Sequence, residues 1–154
     1  MQEVEILLVE DSPEDAELTV SSLKKHHITN KVLVVEDGEE ALDFLFARGK
    51  FSERVGIEQP KVVLLDLKLP KVSGMEVLQV MKSEPALRDI PVVILTSSQE
   101  SPDLKKAYRL GVNSYVVKPV DFESFASAVS SLGMYWLLLN KAPPEAISAS
   151  SSRL

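Results

Sequence analysis

Short apolar runs separated by amphipathic stretches dominate the pattern of this chain. Four of the runs are rich in β-branched residues and continuous rather than alternating, which is typical of strands covered on both faces of a parallel sheet. A fifth run has the same character, so the predicted strands are Val4–Val9, Lys31–Val35, Val62–Leu65, Val92–Leu95 and Tyr115–Val117. Each run is followed by a stretch long enough for a crossover helix.

Turn and cap residues mark the start of each predicted helix. They are Ser12-Pro13, Asp37-Gly38, Ser73-Gly74, Ser101-Pro102 and Asp121. Proline is favoured at the first helical position, and serine and aspartate are favoured N-caps. We expect the third helix to end at Glu84-Pro85 and the fourth at Gly111. The alternation predicts an α/β fold, a (βα)5 doubly wound parallel five-stranded sheet with right-handed crossovers and helices on both faces.

Length and charge limit what such a domain binds. The chain has 154 residues, the size of one domain, and a net charge of −6 that opposes binding to nucleic acid and anionic lipid. It contains no cysteine, which excludes disulfides and thiol catalysis. No apolar run approaches the ~20 residues of a membrane span, so we expect a cytoplasmic protein without membrane or nucleic-acid partners. We assign the domain to residues 1–141 and expect a disordered, Pro-, Ala- and Ser-rich tail over 142–154.

Polar side chains follow four of the five predicted strands. Glu10 and Asp11 come after the first strand, Asp66 after the third, Thr96 after the fourth and Lys118 after the fifth. In doubly wound sheets, ligands bind at the carboxyl ends of the strands, where these side chains should meet. Three carboxylates there would repel one another without a cation, and oxygen ligands suit Mg²⁺. A carboxylate beside Mg²⁺, a lysine and a hydroxyl forms a site for a phosphoryl group, with the carboxylate as nucleophile.

These residues, with the segments LLDLKLPKVSG (64–74) and GVNSYVVKP (111–119), resemble a known family. From about residue 4 to 132 the chain looks like the receiver domain of a two-component response regulator. The resemblance implies a flavodoxin-like fold with strand order 2-1-3-4-5. It also implies that Asp66 accepts a phosphoryl group from a histidine kinase. Such a protein is a signalling phosphoacceptor that promotes its own phosphorylation and dephosphorylation, not an enzyme acting on a separate substrate.

The resemblance also assigns the metal ligands. Asp11, Asp66 and the main-chain carbonyl of Lys68 would hold Mg²⁺. Many receivers have two aspartates where this chain has Glu10-Asp11, and the longer side chain of Glu10 is expected to reach the metal through water.

The remaining roles implied by the resemblance concern phosphate recognition and signalling. Lys118 would pair with the phosphoryl oxygens, and Thr96 and Tyr115 would form a switch pair. The Thr96 hydroxyl would move to the phosphoryl group while the Tyr115 ring turns inward, which changes the surface of the fourth helix, fifth strand and fifth helix. Pro70 and Gly74 belong to the family's loop after the phosphorylated strand, and the Lys118-Pro119 bond is expected to be cis.

Two further features resemble a narrower group, the small stand-alone regulators of bacterial and cyanobacterial phytochrome kinases. One is the extended stretch Asp43–Pro60, and the other is the aromatic-apolar segment Met134–Leu139. An apolar stripe at helical spacing also runs from Phe122 towards Leu139. If the stripe is helical throughout, its end overhangs the sheet, and we expect a homodimer through this C-terminal segment. The alternative is that the segment folds back onto its own domain.

Other functions remain possible at this point. A flavodoxin-like electron carrier would share the fold, although Glu10, Asp11, Glu14 and Asp15 do not suit a flavin phosphate. An aspartyl-phosphate hydrolase would need a second aspartate two residues after Asp66, where Lys68 stands. An inactive receiver that serves only as an interaction module is a further alternative.

Overall fold

Five strands and five α-helices alternate along the computed structural model, which describes residues 3–97, 101–112, 114–134 and 138. The elements are β1 (Ile6–Val9), α1 (Pro13–Lys25), β2 (Val32–Val35), α2 (Gly38–Leu45), β3 (Val62–Asp66), α3 (Gly74–Ser83), β4 (Val92–Thr96), α4 (Pro102–Arg109), β5 (Ser114–Val117) and α5 (Phe122–Ser131). Among the described residues, none of the helices has the length and apolar character needed to cross a membrane. The predicted tail, 142–154, and the domain limit at residue 141 lie outside the described residues.

The strands form one parallel sheet in the order β2-β1-β3-β4-β5, which confirms the expected topology. Because the chain order reverses between β1 and β3, their carboxyl ends border a crevice. In the register of these strands Val9 lies opposite Leu65, so Glu10 and Asp66 leave the sheet side by side. In the pairing of β4 with β5, Thr96 lies opposite Val117, which is the residue before Lys118.

Burial follows the position of each strand in the sheet. The three central strands, β1, β3 and β4, are buried along their whole length. The edge strands β2 and β5 are partly exposed, as expected where one side has no neighbouring strand. One apolar core packs α2, α3 and α4 against one face of the sheet, and a second core packs α1 and α5 against the other. Helices therefore cover both faces, as predicted.

The predicted helix starts are confirmed by side-chain caps. Each N-cap oxygen accepts a hydrogen bond from a main-chain N–H two or three residues further on, and the caps are Ser12, Asp37, Ser73, Ser101 and Asp121. The start of α3 is a full capping box, in which the Glu76 side chain also accepts from the Ser73 N–H. These caps fix where each helix leaves the carboxyl edge of the sheet.

The predicted stripe from Phe122 to Leu139 is not one continuous helix, because α5 ends at Ser131. Gly133 takes the left-handed conformation at φ 74°, and the Met134 N–H donates to the Val129 carbonyl at 2.9 Å. This is the geometry by which a glycine closes a helix C-terminus. Met134 then packs into the second core, as does the half-buried Leu138, so at these two residues the chain folds back onto its own domain.

The stretch between α2 and β3 is organised by a buried arginine that the sequence patterns do not predict. After α2 the chain forms a 3₁₀ helix over Gly49–Arg54. The Arg54 guanidinium stacks on the Phe44 ring, 3.6 Å from its centroid, and donates to the carbonyl oxygens of Phe44 and Glu58. Burial lowers the pKa of this guanidinium. Arg54 thereby joins the end of α2 to the chain that leads into β3.

We predict that Arg54→Ala lowers the free energy of unfolding by ~2–4 kcal/mol, because it removes a buried side chain and leaves main-chain acceptors without partners. Urea denaturation measures the change. Arg48→Ala is the matched control, since the Arg48 side chain is 56% exposed in its ion pair with Asp43 and should cost less than ~1 kcal/mol. Equal losses for the two variants would contradict this role of Arg54.

Candidate functional site

The carboxyl ends of the strands surround a cavity of about 210 Å³. The residues predicted from the sequence that line it are Glu10, Asp11, Asp66, Lys68, Thr96 and Lys118. Strand register brings these side chains together from four strands and the loops that follow them. Tyr115 is not among the lining residues of this cavity.

An acidic cluster, formed by Glu10, Asp11 and Asp66, occupies one side of the cavity. One carboxylate oxygen from each residue lies within 4.8 Å of the others. Glu10 and Asp66 are buried, whereas Asp11 is exposed to solvent. Three carboxylates at this separation are a donor set that suits a hard divalent cation with oxygen coordination. The Lys68 N–H donates to Asp66 Oδ1 at 3.0 Å, which orients the central carboxylate.

The ammonium of Lys118 contacts three carboxylates, two of which belong to the acidic cluster. Its Nζ is 2.9 Å from Asp66 Oδ2, 3.1 Å from Glu10 Oε1 and 3.2 Å from Asp15 Oδ2. Asp15 stands in the first turn of α1, four residues after Asp11, and the sequence patterns assign it no role at this site. Its position in the first turn of α1, close in the chain to Asp11, is the sequence feature from which a place at this site could have been predicted.

Burial and the charge of the ion-pair partner shift the pKa values of Glu10 and Lys118 in opposite directions. Desolvation raises the pKa of Glu10 to about 7, the nearby Asp66 charge adds to the increase, and the Ser12 N–H and Lys118 only partly offset it. Partial burial acts to lower the pKa of Lys118, but hydrogen bonds to Asp66 and Glu10 and their charges outweigh it and raise that pKa. The lysine therefore stays charged, and the Glu10 carboxylate sits in a site that disfavours its negative charge.

The predicted switch pair lies on two neighbouring strands. Thr96 closes β4 and is 6% exposed, while Tyr115 is half-buried on β5 opposite Ile94, two register positions away. The Tyr115 ring meets Tyr108 of α4 edge to face, with 6.2 Å between the ring centroids. The Thr96 carbonyl accepts from the Lys118 N–H at 2.8 Å. Thr96 thus borders the cavity, and Tyr115 contacts α4.

The loop between β3 and α3 packs tightly under the acidic cluster. A Cβ atom at Gly74 would lie 2.1 Å from the Asp66 carbonyl oxygen and 2.5 Å from the Leu67 Cα. Only glycine allows this approach, because any side chain would overlap the main chain that carries Asp66. On the other side of the cavity, the Lys118-Pro119 peptide bond is cis, as predicted.

Comparison with known proteins agrees with this geometry. Residues 6–130 match the family described as the response regulator receiver domain. The probable methanogenesis regulatory protein FilR2 of Methanothrix harundinacea (strain 6Ac) is 43% identical over 138 residues, which cover 90% of this chain and 86% of FilR2. The response regulator Rcp1 of Synechocystis sp. (strain ATCC 27184 / PCC 6803 / Kazusa) is 38% identical over 132 residues, covering 86% of this chain and 88% of Rcp1.

Solved structures of response regulators also resemble this chain. The bacteriophytochrome response regulator AtBRR is 54% identical, with a TM-score of 0.81 over 88% of this chain and 96% of that one. A Mn²⁺-bound form of Rcp1 is 37% identical, with a TM-score of 0.69 over 87% and 94% of the two chains. These matches do not favour the flavin-carrier or hydrolase alternatives. With the family matched over nearly the whole described domain and the acidic cluster and lysine in place, the chain belongs to the response regulator receiver domain family.

Proposed function

We propose that this protein accepts a phosphoryl group on Asp66 from a sensor histidine kinase and passes the signal on through a changed protein-interaction surface. The observation that carries the proposal is the surroundings of Asp66. Its carboxylate belongs to the acidic cluster, lies 2.9 Å from the Lys118 ammonium and lines the cavity at the carboxyl ends of the strands. An anionic nucleophile beside a fixed cation is the arrangement that phosphoryl transfer requires.

In the proposed reaction, a carboxylate oxygen of Asp66 attacks the phosphorus atom of a phosphohistidine. The new O–P bond forms as the P–N bond breaks, and the electron pair of that bond returns to the imidazole nitrogen. Lys118 holds positive charge beside the phosphoryl oxygens, and the Thr96 hydroxyl donates to one of them. The same groups serve the later attack of water, so we infer that the protein promotes both its phosphorylation and its dephosphorylation.

A divalent cation, Mg²⁺ in the cell, fits the acidic cluster because the donors are carboxylate oxygens within 4.8 Å of one another. Asp11, Asp66 and the Lys68 carbonyl would hold it, and Glu10 would contact it through water. When bound, the cation supplies charge neutralisation for the phosphoryl oxygens. The relative Rcp1 has been solved in a Mn²⁺-bound form, which supports the binding of a divalent cation by this chain.

The proposed output is a change around Thr96 and Tyr115. Movement of the Thr96 hydroxyl towards a phosphoryl group leaves space beside β4 that the Tyr115 ring can fill. That ring already contacts Tyr108, so its movement alters the packing of α4 against β5. The affected surface comprises α4, β5 and α5, and a partner protein that binds it would detect phosphorylation.

The kinase partner is proposed from the relatives. AtBRR and RtBRR are bacteriophytochrome response regulators, 54% and 52% identical to this chain, and a phosphorylated phytochrome regulator, RcpA, is 35% identical. We therefore infer a phytochrome histidine kinase as the donor, located with this protein in the cytoplasm. FilR2 is named instead as a probable methanogenesis regulatory protein. Phosphotransfer from a phytochrome kinase, compared with a kinase of another sensory class, tests the pairing.

The proposed homodimer rests on the segment after Met134. Its residues Tyr135, Trp136, Leu137 and Leu139 are apolar or aromatic but lie outside the described residues, whereas Met134 and Leu138 pack onto their own domain. Apolar residues in such number usually cover a surface, and a second copy of the chain is the proposed partner.

We predict that acetyl phosphate phosphorylates Asp66 only in the presence of a divalent cation. Intact mass should show a phosphate adduct with Mg²⁺, with a yield lower by roughly tenfold or more in EDTA, because the acidic cluster is then uncompensated. Asp66→Asn should carry no adduct. Asp89→Asn, at an exposed aspartate away from the cavity, is the control and should match the wild type. An adduct of equal yield in Asp66→Asn would assign the reaction to another residue.

We predict that Thr96→Ala takes up phosphate nearly as well as the wild type but loses much of the conformational response, because the hydroxyl couples the phosphoryl group to Tyr115. Amide chemical shifts of α4 and β5, recorded with and without phosphodonor, measure the response. Thr96→Ser keeps the hydroxyl and should respond normally. Lys118→Ala should impair both uptake and response, and a normal response in that variant would show that the two roles are assigned wrongly.

We predict that the 154-residue chain sediments as a dimer at tens of micromolar, a range set by μM affinities. A version truncated after Met134 should be a monomer. Truncation is placed there because Met134 is only 7% exposed and belongs to the second core, so the domain should remain folded. A monomeric full chain at this concentration would reject the homodimer.

A further inference from the structure

The Lys118 ammonium has no spare hydrogen-bond donor. An ammonium group carries three N–H bonds, and Nζ of Lys118 contacts three carboxylates, those of Glu10, Asp15 and Asp66. A phosphoryl oxygen on Asp66 would be a further acceptor for the same group. Phosphorylation turns the Asp66 carboxylate into an acyl phosphate with three acceptor oxygens, and one of these can take over the Asp66 contact. A second phosphoryl oxygen can be bound only if Lys118 releases Glu10 or Asp15.

Burial determines which contact can be given up. The Glu10 side chain is 1% exposed and also accepts from the Ser12 N–H at 3.2 Å, so water cannot replace Lys118 as its partner. Asp66 itself carries the phosphoryl group. The Asp15 side chain is 41% exposed, and water can replace Lys118 as its partner. Of these contacts of Lys118, the one with Asp15 can therefore be lost at the lowest cost in free energy.

The main chain of Asp15 is held in place whichever partner its side chain has. The Asp15 N–H donates to the Ser12 hydroxyl at 3.2 Å, and the Asp15 carbonyl accepts from the Thr19 hydroxyl at 2.9 Å. Asp15 is also separate from the acidic cluster, so a cation bound there would not compete for it. Among the ion pairs of the described residues, the contact between Asp15 and Lys118 joins α1 to the end of β5.

We propose that Asp15 is a positioning residue that holds the Lys118 ammonium while Asp66 is unphosphorylated and releases it to the phosphoryl group. The proposal rests on the function proposed above. It has two consequences. Asp15 stabilises the unphosphorylated form and so weakens binding of the phosphoryl group, and phosphorylation removes the ion pair that ties the first turn of α1 to β5.

Beryllium trifluoride with Mg²⁺, a surrogate for the phosphoryl group, tests the first consequence. Asp15→Asn should bind it roughly two- to fivefold more tightly than the wild type at low salt, the range expected for loss of a partly exposed ion pair. Glu14→Gln is the matched control, because it removes the same charge from the same turn of α1. Glu14 is exposed, and no contact with Lys118 is found for it among the described residues. Its affinity should equal that of the wild type.

A second readout separates positioning from a general structural effect. In protein labelled with ¹⁵N-lysine, the Lys118 ammonium signal of the free Asp15→Asn variant should differ from that of the wild type. The difference should disappear once the surrogate is bound, because Asp15 no longer contacts Lys118 there. Equal affinities of Asp15→Asn and Glu14→Gln, weaker binding by Asp15→Asn, or a signal difference that persists in the bound state would overturn the proposal. A wild type that fails to bind the surrogate would contradict the proposed function as well. The three results named above contradict only the role of Asp15 and leave the proposed function intact.

Discussion

The ion-pair group around Lys118 is the interaction on which the rest of the site depends. Glu10 and Asp66 are buried carboxylates, and their charges are costly in that position without a compensating cation. Lys118 supplies one positive charge from the far side of β4, in contact with both. Burial raises the pKa of Glu10 despite its contact with Lys118. The three carboxylates of the acidic cluster face one ammonium, and this excess of negative charge suits a divalent cation.

The fold serves to keep these charges at fixed separations. Parallel pairing of β1 with β3 places Glu10 beside Asp66, and pairing of β4 with β5 brings Lys118 to the same edge. Gly74 lets the loop after β3 pack against the main chain of Asp66. This support comes from main-chain register and loop packing.

Two features away from the charges fix the path of the chain after α2 and after α5. Arg54 fastens the extended stretch between α2 and β3 to the ring and carbonyl of Phe44. Gly133 ends α5 and turns Met134 back into the second core. The switch proposed for Thr96 would act through the contact of Tyr115 with Tyr108, which lies between β5 and α4.

The sequence alone determined the order of the elements, the helix starts and the residues of the acidic cluster, because these depend on local patterns. A continuous apolar run predicts a buried strand, and Ser73 or Asp121 before a helical stretch predicts a cap, whatever lies further along the chain. The partner of each charged side chain was decided by the tertiary structure. Asp15 and Lys118 are far apart in the chain, and only the fold brings the Lys118 ammonium to 3.2 Å from the Asp15 carboxylate. The end of α5 was likewise decided by packing, since a helical apolar pattern continues past Gly133. The burial of Arg54 was also decided by packing, because an arginine is expected at the surface unless its neighbours in the fold enclose it.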